Sequence, residues 1–242
     1  MPGSPVNLKT LREQVYEYLR DAMNRGDLVP GGGIDLEEIG ARLGISRTPL
    51  RFALLQLENE GFVTILPRRG CVVRTLTVED IRRIYQIVGA LEASVLRAEF
   101  HRLGGEKCDR MRWLNEQLRS RLEEIDFAGF HRLNYEFHDT YLSLSSNTEL
   151  LRIVKTLKRR LYDFPTRQPF PKDWALSSTG EHARLVDLIG AGDAAAAAEF
   201  LQNVHWSYDV QKHFVHRRYG AEMASPGTRP EKGSETPMPE RR

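Results

Sequence analysis

The sequence LEEIGARLGISRTPLRFALLQLENEG, residues 36–61, decides how the N-terminal part of the chain folds. Its first segment places apolar residues on one helical face, at Leu36, Ile39 and Leu43. Ser46 is a good N-cap for a second helix, and Gly61 is suited to end that helix. The spacing therefore predicts two short helices joined by a tight turn, which is a helix-turn-helix.

Two cationic residues lie near the start of the second predicted helix. Arg47 and Arg51 are four residues apart and lie off the apolar face of that helix. In a helix-turn-helix protein the start of the second helix meets DNA, so both arginines are candidates for DNA contacts. Short amphipathic helix pairs are also common in proteins that bind no DNA. A solvated helix face therefore stays open as an alternative for these two residues.

The residues that follow predict a β-hairpin with a basic tip. Residues 61–66 and 71–74 are rich in β-prone residues, and Pro67-Arg68-Arg69-Gly70 between them is typical of a turn. A helix-turn-helix followed by such a hairpin is a winged helix. Residues 46–74 contain five arginines and two glutamates, a local net charge of +3, whereas the whole chain carries +2. A local patch of this kind is typical of a protein that docks one face on phosphates.

Three pieces of this region resemble the GntR family of bacterial transcription regulators. They are SRTPLR at 46–51, LENEGFV at 57–63 and Arg69-Gly70, and the resemblance covers roughly residues 8–74. It implies that operator DNA is contacted by Ser46, Arg47, Thr48 and Arg51. It also implies that Gly70, with its neighbour Arg69, approaches the minor groove. Some members have a basic DNA-contacting residue on the preceding helix, but this chain has Glu37 there, so no contact is assigned.

Length and composition limit the class of protein further. The chain of 242 residues is 40% hydrophobic, enough to bury real cores in one larger domain or two small ones. Its two cysteines, Cys71 and Cys108, form no CxxC, which excludes a thiolate zinc site and argues against a disulfide scaffold. We recognise no signal peptide and no run close to the ~20 apolar residues of a membrane helix. We therefore expect a cytoplasmic protein without a membrane partner.

Helical patterns continue from Thr77 to about Arg218, and no β pattern appears among them. The predicted fold class is mainly α, with an N-terminal winged helix-turn-helix and a C-terminal all-helical bundle of about six helices. The last helical block is predicted to run without a break over 194–215, with Asp193 as its N-cap. The predicted division is 7–75 for the DNA-binding domain, 76–218 for the helical domain and 219–242 for a disordered tail.

Three of the seven histidines fall on separate predicted helices, at His138, His182 and His205. Asn134 precedes His138 by four residues, so both side chains project from one helix face. A helical bundle can bring such residues together in its core around a divalent metal. The same histidines are equally compatible with surface positions, or with core positions hydrogen-bonded to a neighbour.

The second half resembles the FCD ligand-binding domain of the FadR-type branch of the GntR family. The matching pieces are Phe137-His138, Glu181-His182 and the late His205. The resemblance implies a divalent metal such as zinc or nickel, whose coordination is completed by a small organic acid. The implied ligands of the metal are Asn134, His138, His182 and His205.

The chain departs from that pattern at two positions. Asn134 stands where metal-binding members have an acidic residue, and an amide oxygen ligates without adding charge, so metal affinity should be lower. Val88 stands where many members have an arginine that is expected to hold an anionic effector, which puts a simple dicarboxylate ligand in doubt. Three consecutive residues could supply a cation in place of that arginine: Lys158, Arg159 and Arg160. We expect them to form a solvated face instead.

These patterns together predict a homodimeric transcription repressor that reads a pseudo-palindromic operator and responds to a carboxylate-bearing small molecule. We expect no enzyme activity, because the sequence has no P-loop, no GxSxG, no HExxH and no candidate general base beside the histidines. Two alternatives stay open. One is a metal-dependent enzyme domain fused to a DNA-binding domain, and the other is a helical module that recruits a protein partner.

Overall fold

A computed structural model describes residues 9–162 and 171–220 of the chain. The sequence also predicts a disordered N-terminal arm at 1–6 and a break between helices at 164–171. The arm, most of the break and the predicted tail beyond 220 lie outside the described residues. The described strands and α-helices follow in the order α1 (Leu11–Asn24), β1 (Gly33–Ile34), α2 (Leu36–Leu43), α3 (Arg47–Asn59), β2 (Val63–Leu66), β3 (Gly70–Val73), α4 (Val78–Glu99), α5 (Gly105–Glu123), α6 (Phe127–Leu142), α7 (Thr148–Tyr162), α8 (Lys172–Gly190), α9 (Ala194–Phe200) and α10 (Tyr208–Tyr219). The mainly α fold class is thereby confirmed.

Helices α2 and α3 form the predicted helix-turn-helix. Gly44 ends α2 in the left-handed conformation, at φ 63°, and Ser46 is the N-cap of α3. The second helix buries one apolar face against α1, and the buried residues of that face are Leu50, Ala53, Leu54 and Leu57. The position of each break therefore agrees with the sequence pattern.

The hairpin is part of a three-stranded antiparallel sheet in the order β1-β3-β2. Strands β2 and β3 pair from Val63 with Val73 to Leu66 with Gly70, as the β-prone sequence predicts. Strand β1 was not predicted, because its two residues, Gly33 and Ile34, are too few to show an alternating pattern. It pairs with β3 and ties the loop before α2 to the sheet.

Helix α4 is the central helix of the C-terminal bundle and packs against α6, α7, α9 and α10. Its start is fixed by an N-cap at Thr77, since the Thr77 hydroxyl accepts a hydrogen bond from the backbone N–H of Asp80 at 3.1 Å. Gly89 allows a close approach farther along, because a Cβ there would lie 2.8 Å from Cβ of Trp206. The segment that carries Trp206 is thus held directly against α4.

The predicted continuous helix 194–215 is wrong in one respect. Asp193 caps α9 as predicted, but the helix then widens into a π turn, Leu201–His205, and α10 begins only at Tyr208. The described part of the bundle therefore has seven α-helices where about six were predicted. A π turn inserts one residue, which a short apolar pattern does not reveal, and turns of this kind often occur at functional sites. Here the turn ends in two buried residues, His205 and Trp206.

The C-terminal end of the described chain belongs to the bundle core. Tyr219, which the sequence analysis placed in the tail, is the last residue of α10 and is buried. None of the helices in residues 9–162 and 171–220 is long and apolar enough to cross a membrane.

Helix α7 joins the bundle to the N-terminal helices and hairpin. Gly61, just after α3, adopts φ +81°, and a Cβ at this position would lie 3.0 Å from Nε of Arg160 on α7. Asp80 lies between two guanidinium groups, with 4.0 Å to Nη2 of Arg160 and 4.0 Å to Nη2 of Arg74. The end of α3, the end of the hairpin and the start of α4 therefore meet at α7.

We expect Gly61→Ala to lower the free energy of unfolding by about 2 kcal/mol, measured by urea denaturation. A left-handed backbone costs an alanine about 1–2 kcal/mol, and the new methyl group must also displace Arg160. Gly26→Ala is the matched control, because Gly26 has the same φ of +81° and a Cβ there meets no described atom within 4 Å. Equal losses in the two variants would show that Arg160 does not press on this position.

Candidate functional site

The exposed side of α3 and the hairpin form one open groove, which we call the α3–hairpin groove. Five of the six residues predicted to bind DNA line it and are exposed: Arg47, Thr48, Arg51, Arg69 and Gly70. The sixth, Ser46, is exposed at the N-cap of α3. The arginines of the helix start and of the hairpin therefore present their charge to the same side of the molecule.

Ser46 occupies the N-cap position without using its side chain as a cap. Its backbone is extended, at φ −72° and ψ 167°, and within the described structure its hydroxyl forms no capping hydrogen bond. The first two residues of α3, Arg47 and Thr48, are exposed beside it. A helix N-terminus of this kind favours anions such as phosphate.

Arg68 is a groove residue to which the sequence analysis gave no role. The backbone N–H of Arg69 donates to the Leu66 carbonyl at 3.0 Å and closes a tight turn at the hairpin tip. Arg68 sits in that turn with φ 61°, and Gly70 follows with φ 96°. An L-residue with a side chain adopts this conformation at a cost of about 1–2 kcal/mol. The fold thus keeps a second basic side chain at the tip, beside Arg69, on a strained backbone.

An acidic residue also lines the α3–hairpin groove. Arg47 Nη2 donates a hydrogen bond to Oε1 of Glu37 at 2.5 Å, and Glu37 lies in the first turn of α2. Both side chains are strongly exposed, 83% for Arg47 and 80% for Glu37. Glu37, to which no DNA contact was assigned, is therefore bonded to one of the predicted DNA-binding residues.

The three predicted histidines come together in the core of the bundle. His138 lies on α6, His182 on α8 and His205 at the end of the π turn. All three are buried, and each offers a ring nitrogen within 4.8 Å of those of the other two. Asn134 lies one turn before His138 on α6, is also buried and shares a cavity wall with His205. We call these four residues the histidine cluster.

Two carboxylates fix the orientation of two of the rings. His138 Nδ1 lies 2.9 Å from Oε2 of Glu92, and His205 Nδ1 lies 2.8 Å from Oε2 of Glu181. A carboxylate only accepts hydrogen bonds, so each Nδ1 carries the proton and each Nε2 keeps a lone pair. Histidines that bind metals are oriented in this manner by partners beyond the metal.

Several polar atoms of the histidine cluster are buried without a hydrogen bond. In the chain as far as the structure describes it, these atoms are both ring nitrogens of His182, Nε2 of His138 and Oδ1 of Asn134. A buried polar atom left without a partner costs about 1–3 kcal/mol, and a group of them calls for an explanation. A divalent cation would accept lone pairs from imidazole nitrogens and an amide oxygen together.

The rings of His138 and His182 are held neutral, which is the form of histidine that binds a metal. Burial lowers the pKa of His138 to about 3, with Lys158 acting in the same direction and Glu92 against it. Burial also holds the pKa of His182 well below its ordinary value, and the neighbouring His205 and His138 add to this effect.

Glu92 connects the histidine cluster to α7 and was missed by the sequence analysis. Its Oε1 accepts from Lys158 Nζ at 3.0 Å, and its Oε2 accepts from the Tyr141 hydroxyl at 2.5 Å and from Trp206 Nε1 at 2.8 Å. Burial works against the charged form, but Lys158 and His138 outweigh it and lower the pKa of Glu92 below its ordinary value. We call these residues, with His138, the Glu92 network.

The prediction of a solvated face at 158–160 is wrong for Lys158 and Arg160. Lys158 is buried because Glu92 compensates its charge, and Arg160 is largely buried beside Asp80. Val88 lies one turn before Glu92 on α4 and is buried. It carries no charge at the position where the family resemblance implies an arginine. The Lys158 cation is therefore already paired and is not a free site for an anionic effector.

A small cavity lies next to the histidine cluster. Its volume is about 40 Å³, and its wall includes Asn134, Glu181, His205 and several aromatic side chains, among them Tyr85, Trp174 and Trp206. A water molecule needs at least about 10–15 Å³ measured in this way, so the cavity has room for two or three water molecules at most. An organic acid would require its wall to move.

Comparison with known families finds two matches, which follow one another along the chain. Residues 11–73 match the family described as bacterial regulatory proteins, gntR family, and residues 83–205 match the FCD domain. Both stretches fall inside the predicted domains 7–75 and 76–218. The boundaries of those domains stay a prediction.

Curated relatives are described as transcriptional regulators. The Nta operon transcriptional regulator of Aminobacter aminovorans is 35% identical over 133 residues, which cover 54% of this chain and 62% of that protein, less than two thirds of its length. A regulator of Agrobacterium vitis from the TAR-I ttuE-ttuC' intergenic region is 31% identical over 60% of this chain and 87% of its own length. The repressor RspR of Escherichia coli is 28% identical over 65% of this chain and 67% of its own length.

Solved structures share the fold. Escherichia coli McbR/YncC superposes with a TM-score of 0.64 at 19% identity, covering 89% of this chain and 100% of that one. A GntR regulator from Rhodococcus sp. RHA1 superposes with a TM-score of 0.61 at 20% identity, covering 89% and 99%. At such low identity these structures support the fold alone.

Proposed function

Because the chain belongs to the GntR family of bacterial transcription regulators, in the FadR-type branch with a C-terminal FCD domain, we propose that it represses transcription by binding operator DNA as a homodimer. That the chain is a transcriptional regulator, not an enzyme, follows from its family and relatives. The finer proposal is carried by one observation. The basic residues of α3 and of the hairpin tip line one exposed groove. The relative RspR is described as a repressor, which favours repression over activation for this chain as well.

The proposed DNA contacts follow from the position of each group. Arg47, Thr48 and Arg51 lie in the first turns of α3, the part of a recognition helix that reaches base edges in the major groove. Ser46 offers a hydroxyl to a phosphate beside the helix N-terminus. Arg69 and Gly70 at the hairpin tip would lie along the neighbouring minor groove. Two such surfaces related by a two-fold axis would match a pseudo-palindromic operator.

We expect Arg51→Ala to weaken binding to the operator about 5- to 150-fold, because a bidentate arginine–guanine contact is worth about 1–3 kcal/mol. The operator is a duplex selected by the wild-type chain from a randomised pool, and affinity is measured by gel shift. Arg51 is exposed, so the thermal unfolding of the variant should match that of the wild type.

Arg97→Ala is the matched control, because it removes the same charge from an exposed position on α4, outside the α3–hairpin groove. We expect its operator affinity to stay within twofold of the wild type. If Arg51→Ala binds the operator as tightly as Arg97→Ala does, the assignment of α3 as the reading helix is wrong.

We propose further that the histidine cluster holds one divalent metal, zinc or nickel. Asn134, His138, His182 and His205 would be its ligands, and the support for this is the set of buried lone pairs without partners. A bound metal supplies a Lewis-acid centre that takes a carboxylate oxygen of a small organic acid. The chain itself keeps His138 and His205 in the correct tautomer through Glu92 and Glu181.

The effector is proposed to act by opening the cavity beside the cluster. The cavity of about 40 Å³ is too small for an organic acid, so binding must displace part of its wall. Helix α7 is well placed to pass on this movement, because Lys158 belongs to the Glu92 network and Arg160, two residues later, touches Gly61 of the DNA-binding half. A coupling free energy of about 1–3 kcal/mol changes operator affinity about 5- to 150-fold.

A further inference from the structure

We propose that Glu37 determines how strongly this chain prefers its operator over other DNA sequences. It would do so by holding Arg47 in place and by weakening the binding of duplexes that lack the operator sequence. The inference rests on the proposed DNA-binding function and adds to it a residue for which the sequence analysis assigned no contact. Glu37 would act through Arg47, so it is a positioning and specificity-determining residue.

The geometry places an acidic group where DNA would dock. Glu37 belongs to the first turn of α2, and Arg47 is the first residue of α3, so their hydrogen bond joins the starts of the two helices. Both residues line the α3–hairpin groove together with Arg51 and Arg69. The carboxylate therefore lies among the cations that would meet phosphates and base edges.

Stability of the fold does not account for this ion pair. With side-chain exposures of 83% and 80%, the pair is well solvated, and exposed pairs contribute little to folding. The neighbouring Glu38 makes the contrast clear. It lies in the same first turn of α2 and is exposed, yet it joins no ion pair among the described residues. The hydrogen bond to Arg47 is thus specific to Glu37, and the adjacent acidic residue does not form it.

Two physical effects follow for binding. The hydrogen bond restricts the long Arg47 side chain while leaving most of its five N–H donors for a base edge, so less conformational entropy is lost when the correct base is met. The negative charge of Glu37 repels phosphates of every sequence. On a duplex that offers Arg47 no base contact, this repulsion is not offset, and such duplexes are disfavoured.

The experiment is a double-mutant cycle in the full chain, with Glu37→Gln, Arg47→Ala and the double variant. Affinity is measured by gel shift for the duplex selected by the wild type and for a scrambled duplex of the same composition. The ratio of the two affinities is the readout, and a residue with only a structural role would not change it. Glu38→Gln is the matched control, because it removes the same charge from the adjacent position.

We expect Glu37→Gln to bind the scrambled duplex more tightly and to lower the affinity ratio about tenfold, within the range of one base contact. Glu38→Gln should keep the ratio within twofold of the wild type. In the Arg47→Ala background, adding Glu37→Gln should change the ratio by less than twofold, because the side chain that Glu37 holds is gone.

The inference is overturned if Glu37→Gln behaves like Glu38→Gln, or if it lowers the ratio equally with and without Arg47. Either result can occur while the wild type still prefers its selected duplex, so the proposed function would stand. A wild-type chain that selects no sequence would overturn the proposed function, and this inference with it.

Discussion

Lys158→Met is expected to lower the free energy of unfolding by about 3–5 kcal/mol, a large part of the stability of a typical domain. The side chains of Lys158 and Glu92 are 2% and 0% exposed and form an ion pair at 3.0 Å. Methionine matches the shape of lysine but leaves the Glu92 carboxylate buried without its main countercharge. Urea denaturation followed by circular dichroism measures the loss.

Lys155→Met is the matched control for this prediction. Lys155 lies one turn earlier on α7 and is exposed, so its replacement should change the free energy of unfolding by less than about 0.5 kcal/mol. The double variant of Lys158→Met with Glu92→Gln should recover part of the loss, because no buried charge then remains unpaired. If Lys158→Met is no less stable than Lys155→Met, the Glu92 network does not hold α7 to the bundle.

Zinc or nickel is expected to stabilise the wild-type chain by about 4 kcal/mol at a free concentration one thousand times its Kd, since it binds only the folded state. His182→Ala should abolish this gain, because it removes a ring whose two nitrogens have no other partner among the described residues. Thermal unfolding with and without each ion gives the shift. Elemental analysis should find about one ion per wild-type chain after loading and a tenth of that or less in the variant.

His101→Ala provides the comparison for the metal experiment. His101 is exposed and lies outside the histidine cluster, so this variant should take up the ion and gain stability as the wild type does. Chelation should return the wild type to the unfolding temperature of the metal-free chain. A wild type whose stability responds to neither ion would refute the metal assignment and leave the DNA assignment untouched.

The DNA-binding half was predictable because its signals are local. The proposed recognition residues from Ser46 to Arg51 and the hairpin at 61–74 lie close together in sequence, and each element has its own cap, turn or alternation. Strand β1 was missed because two residues carry no pattern. No role was predicted for Arg68, because its left-handed backbone is set by the register of β2 and β3. The sequence Arg68-Arg69 alone does not show which of the two residues adopts that conformation.

The histidine cluster was predicted only in part. The i, i+4 spacing placed Asn134 and His138 on one helix face, and the family resemblance nominated His182 and His205. Glu92 carried no such signal, because its partner Lys158 is 66 residues away and nothing local distinguishes a buried lysine from a solvated one. The π turn that ends at His205 was likewise hidden, since the single residue that it inserts cannot be recognised in so short an apolar pattern.

The contact between Arg160 and Gly61 has a consequence for the order in which partners bind. Thermodynamic linkage is reciprocal, so any factor by which an occupied cavity changes DNA affinity must equally change the affinity of the cavity when the chain is on DNA. In the proposed repressor, a chain seated on its operator would therefore bind the small molecule with a dissociation constant different from that of a chain free in solution. The concentration that releases the chain from DNA would then depend on the DNA-bound constant, and a titration of the free protein alone would misjudge it.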